Sequence, residues 1–92
     1  MTLSEATWAH IRDRHPEVAQ YWELVEEVLA EPDMILQGNQ RERKAIRFVK
    51  KTHLGPKYLV VVYTEEDSRK AIITAFFTSD LKKIKGDVVW KA

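Results

Sequence analysis

The chain has 92 residues, 45% of them hydrophobic and 32% charged, with a formal net charge of +1. That length accommodates one small domain, residues 1–92, and not two, and the apolar share excludes a disordered chain. The lack of cysteine excludes a disulfide scaffold and a cysteine-based zinc site. No apolar run reaches the length of a membrane span, and "MTLSEATWAH" lacks the basic and apolar regions of a signal peptide. The expected location is therefore the cytoplasm, away from membranes.

Thr2 and Glu5 form a T-x-x-E capping box, which predicts a helix starting near Leu3, with Trp8 and Ile11 on its apolar side. His15-Pro16 ends it, because the residue before proline is pushed out of the helical region. Pro16 suits the first turn of a second helix. Val18, Tyr21, Trp22, Val25, Val28 and Leu29 recur there at helical spacing, with glutamates largely opposite, and "EPD" ends the run.

The period then changes to two. "DMILQ" predicts a short strand and "GN" a turn. In "RERKAIRFVKK", Ile46 and Phe48 point one way and Arg43, Arg47 and Lys51 the other, with Ala45 and Val49 between them. "THLGP" is a loop, and "KYLVVVYTEE" and "KAIITAFFT" are apolar strands joined by the turn "EDSR". "SDLKKIKG" connects to a final short strand, "DVVWK". The expected fold is α+β, with two N-terminal helices packed on one face of a four- to five-stranded antiparallel sheet. The other face is expected to be partly concave.

Charge is segregated along this order. Every charged residue from Pro16 to Leu36 is acidic. From Arg41 to Lys57, Arg41, Arg43, Lys44, Arg47, Lys50, Lys51 and Lys57 stand against Glu42 alone. A positive face of this kind suits an anionic partner, although such runs are usually only a solvated surface.

The residue types narrow the chemistry. His10 and His15 are five apart, not at the i, i+4 spacing of a helical zinc pair, so no metal site is expected. There is no nucleophile elbow and no phosphate-binding glycine loop, and no cofactor is expected. Histidine, Arg or Lys, and Thr suffice for metal-independent RNA cleavage, in which the RNA's own 2′-hydroxyl attacks the adjacent phosphate. Each residue also has a plain structural explanation. His10 and Arg14 can be an exposed helix face, and His15 can merely cap a helix. Arg43, Arg47 and Lys51 can guard an edge strand, Thr74 and Thr78 can be ordinary strand residues, and Trp90 can close the core.

"WAHIRDRHPEV", "EEVLAEPDMI", "RKAIRFVKK", "KYLVVVY", "ITAFFTS" and "VVW" together resemble small nucleases of the barnase, EndoU, colicin and RelE-like superfamily. The nearest branch occurs in phage-associated proteins and as toxin domains of polymorphic toxins. The resemblance implies the α+β fold above and a metal-independent ribonuclease, with tRNA a common target and an antitoxin or immunity protein as a partner. It places His10, His15, Arg47, Thr74 and Thr78 as catalytic residues. Arg43, Lys44, Lys50, Lys51 and Lys57 are then expected to hold RNA. The alternative is a non-catalytic RNA- or protein-binding module on the same fold.

Overall fold

The structure, a computed structural model, describes residues 5–67 and 69–92. Thr2 and Leu3, the expected cap and start of the first helix, lie outside them, as does Ser68 of the "EDSR" turn. The described elements are α1 (Glu5–Arg14), a 3-10 helix η1 (Pro16–Tyr21), α2 (Trp22–Ala30), β1 (Met34–Gln37), β2 (Glu42–Val49), β3 (Lys57–Glu66), β4 (Arg69–Thr78), a short 3-10 turn η2 (Leu81–Lys83) and β5 (Val88–Lys91). The strands form one five-stranded sheet in the order β4-β3-β2-β1-β5, and every pair is antiparallel. The α+β architecture expected from the periodicity is the one observed.

The second helix departs from expectation. Its first half is 3-10, at three residues per turn rather than 3.6, so the phase slips by about 20° per residue. Val18, Val25, Val28 and Leu29 remain fully buried. Trp22 is rotated off the buried stripe, is 44% exposed, and meets Trp8 edge-on at 6.4 Å. The expected face of β2 is observed, but the strand stops at Val49, leaving Lys50 and Lys51 beyond its end. Trp90 is 46% exposed and closes no core.

Alternation along the strands divides the apolar residues between two faces. On the helix side, Ile11, Val18, Val25, Val28 and Leu29 pack on Ala45, Leu59, Val61, Tyr63, Ile72 and Ala75. On the other side, Leu36, Ile46, Val60 and Val62 form a second cluster, and the β4–β5 connection lays Leu81 and Ile84 on it. This connection, the strap, crosses from one edge of the sheet to the other. It is pinned where Gln37 N–H donates to the Asp87 carbonyl at 2.8 Å. Gly86 makes that approach possible: its φ is +133°, and a Cβ there would collide with the Gln37 carbonyl. No helix among the described residues is long and apolar enough to cross a membrane.

The buried helix stripe and the exposed Trp90 give a direct check. Leu29→Ala is expected to lose about 2–5 kcal/mol of stability, as buried leucines do, whereas Trp90→Ala is expected to lose much less. Urea unfolding of both variants measures this; equal losses would contradict the burial described.

Candidate functional site

The expected catalytic residues fall on two sides of the sheet. Arg43 and Arg47 share the helix-side face of β2 with Ala45, as the period-two pattern requires. Arg47 Nη1 donates to Glu27 Oε1 of α2 at 3.1 Å. Thr74 pairs with Val62 and Thr78 with Tyr58, and both partners belong to the cluster on the opposite face. The two threonines therefore face away from Arg47.

His15 joins the threonine side. It occupies the junction between α1 and η1, where α1 and η1 pack on β4 at the sheet edge. Its ring lies 5.7 Å from that of Phe76, which stands between Thr74 and Thr78 on the same face of β4. Its Nδ1 is 3.4 Å from Glu17 Oε1. A proton on Nδ1, held by that carboxylate, leaves Nε2 with a free lone pair. His10 is exposed on α1.

The threonines differ in environment. Thr78 Oγ1 donates to the Asp80 carbonyl and accepts from Asp80 N–H, both at 3.2 Å, so it shapes the start of the strap. Thr74 Oγ1 is buried and has no hydrogen-bond partner among the described residues. Burying a hydroxyl in that state costs about 1–3 kcal/mol.

The expected RNA-binding cations are dispersed. Lys44 lies on the strap face and donates to the Lys85 carbonyl at 2.8 Å. Lys50 and Lys51 flank the β2–β3 loop, and Lys57 opens β3 opposite Val49. Arg43 lies instead in a cleft of about 560 Å³ at the C-terminal end of α2, together with Tyr63, Glu65, Lys70 and Trp90. The Lys70 ammonium sits 5.6 Å from the Tyr63 ring centroid. Among the described residues, no three His, Asp or Glu side chains converge as a metal site would need.

Two groupings escaped the sequence reading. The first is the Arg43–Lys70 cleft. Pairing Glu66 with Arg69 and Glu65 with Lys70 across the β3–β4 turn would have brought Lys70 beside Tyr63. The second is His53, whose Nδ1 lies within hydrogen-bond distance of Gln20 Nε2, at 2.9 Å, and of Tyr21 OH, at 3.0 Å. Its ring stacks on Tyr21 at 5.7 Å, and Thr52 tightens the loop by accepting from Leu54 N–H and donating to the Gly55 carbonyl. No periodicity signals a loop-to-helix contact of this kind.

The family model described as phage-Barnase-EndoU-ColicinE5/D-RelE like nuclease2 matches residues 1–91. No curated protein and no solved structure matches the chain.

Burial, and secondarily the Glu65 carboxylate, raise the Tyr63 phenol above its ordinary 10.0, while the Arg43 guanidinium opposes them. A raised value means that the unfolded chain loses this proton first. Stability is thus fully present below the unfolded phenol's pKa and falls as pH rises from there through the folded value. Urea unfolding between about pH 8 and pH 11 should show wild type losing more stability than Tyr63→Phe. Parallel profiles would mean that the phenol is already solvated.

Proposed function

The chain belongs to the phage-Barnase-EndoU-ColicinE5/D-RelE like nuclease2 family, and from that premise we propose that it is a metal-independent endoribonuclease acting on the strap face of the sheet. The observation that carries this reading is His15 seated on Phe76 between Thr74 and Thr78. A proton acceptor and two threonines thereby share one face of the sheet, with Thr78 Oγ1 at the start of the strap and Thr74 Oγ1 buried.

The chemistry follows from those groups. His15 Nε2 takes the proton of the RNA 2′-hydroxyl, with Glu17 beside Nδ1 orienting the ring. O2′ then bonds to the adjacent phosphorus and the bond to O5′ breaks. An acid, for which His10 is the candidate, protonates the departing O5′. The products are a 2′,3′-cyclic phosphate and a 5′-hydroxyl. Thr78 is the hydroxyl offered to the phosphate, whereas Thr74 Oγ1 is buried and does not reach it in this arrangement. Lys44, Lys50 and Lys51 attract the backbone, whereas Arg43, Arg47 and Lys57 lie on the helix side. Arg47 acts through Glu27, holding α2 against β2. Transfer RNA is the first target class to test. A protein covering the strap face would block the site, as an antitoxin or immunity protein does, and a toxin of this kind would work in the cytoplasm of the cell it poisons.

One observation favours the rival, a binding module without catalysis. Both Arg47 and Thr78 are already engaged, by Glu27 and by Asp80. The two readings differ in product. In EDTA, purified protein is expected to cleave tRNA or total RNA to cyclic-phosphate ends, and His15→Ala to lose about 10²-fold or more of that rate. Cleavage that survives both His10→Ala and His15→Ala would sink the mechanism. RNA binding with no product would leave the binding module standing.

A further inference from the structure

The strap does not cover its whole face of the sheet. Phe48 of β2, Tyr58 of β3 and Phe76 of β4 lie on that face, Phe48 pairing with Tyr58 and Phe76 with Val60 beside it. The Phe48 and Tyr58 rings meet edge-on at 5.1 Å. Tyr58 and Phe76 are diagonal neighbours across adjacent strands, within reach of aromatic side chains. Beyond Phe76 comes the His15 ring. The result is a run of rings crossing three strands and ending at the histidine.

These rings are only partly buried. Phe48 is 41% exposed, and Tyr58 and Phe76 are half-buried. Charge favours one kind of occupant. From Lys50 to Thr64, the stretch that leads from β2 through Tyr58, there is no acidic residue, and it carries Lys50 and Lys51 beside the rings, with Lys57 on the helix side. Lys82 and Lys83 of the strap add to this. Three acids lie nearby and keep their charge, each held by a contact: Asp33 accepts from Phe48 N–H, Asp80 from Lys82 N–H, and Glu17 lies against His15. Exposed ring faces flanked by cations suit a polyanion that can offer flat apolar surfaces, which is a nucleic acid with unpaired bases. A duplex keeps its base faces stacked inside and can use only the cations.

We propose that Phe48, Tyr58 and Phe76 form a stacking platform that selects single-stranded RNA and leads its backbone to His15. The proposal rests on the ribonuclease reading for its choice of RNA, but its binding test does not depend on cleavage. The probe is a short fluorescent 2′-O-methyl RNA, which has no free 2′-hydroxyl to attack, measured by anisotropy as a single strand and as a duplex.

The single strand is expected to bind at least about tenfold tighter than the duplex, and Phe48→Leu to remove about tenfold of that affinity. Phe48→Trp, which restores a ring, should recover it, separating stacking from a simple loss of fold. Equal binding of strand and duplex overturns the platform, as does an unchanged affinity in Phe48→Leu. If Phe48→Leu instead abolishes self-association while leaving oligonucleotide binding intact, the face is a protein surface and the proposal fails. Ring-dependent binding without cleavage of unmodified RNA keeps the platform and defeats the nuclease reading; cleavage with ring-independent binding does the reverse.

Discussion

The fold depends on β3 being buried on both of its faces. From Leu59 to Tyr63 five consecutive residues are inaccessible, so each face of the sheet needs its own cover. A chain of this length can supply a full layer only once. The helices provide it on one side. The strap, a single segment through Leu81 and Ile84, provides a partial cover on the other. The uncovered remainder of that second face holds His15, Thr78 and the aromatic rings, so the space for a substrate follows from how little chain is left to close it.

Much of the architecture was legible in the sequence because it rests on local periodicity. The unbroken apolar run of β3 marked a strand buried on both sides, whereas the similar run of β4 belongs to an edge strand in which only Ile72 and Ala75 are buried; the alternation in β2 separated Ile46 and Phe48 from Arg43 and Arg47 correctly. The phase of the second helix was not legible: nothing in "PEVAQYW" distinguishes a 3-10 turn from an α-turn, and the difference moved Trp22 to the surface. The site was less legible still. Strand parity tells which residues of one strand share a face, but relating β2 to β4 requires the register through β3, including the irregularity between Val62 and Tyr63. Without it, Arg47 and the threonines looked like neighbours.

The two faces therefore divide the labour. On the helix side, the polar contacts are mostly structural: Arg47 ties β2 to α2 through Glu27, and Tyr21 and Gln20 anchor the β2–β3 loop through His53. Exposed pairs such as Arg47–Glu27 contribute little each, of the order of 0–1 kcal/mol, so their value lies in orientation more than in stability. On the strap side, the polar groups are sparse and incompletely satisfied, with Thr74 lacking a partner. Hydrogen-bonding capacity left over inside a covered surface is characteristic of places where a ligand completes what the fold does not.

The strand order has a consequence for how the molecule assembles. Strands β1 to β4 form a meander of hairpins between neighbours in sequence, but β5 must return to β1, closing a loop over most of the β-portion of the chain. Loop-closure entropy rises with that separation, and distant pairings are the slow ones. The packing of α1 on β4 spans a comparable distance, so both covers of the sheet close over more than half of the chain, and the surface bearing His15 has its boundary set where Gly86 passes Gln37. The site's boundary and the core thus depend on the same class of long-range contact, and neither face of the sheet is completed by local structure alone.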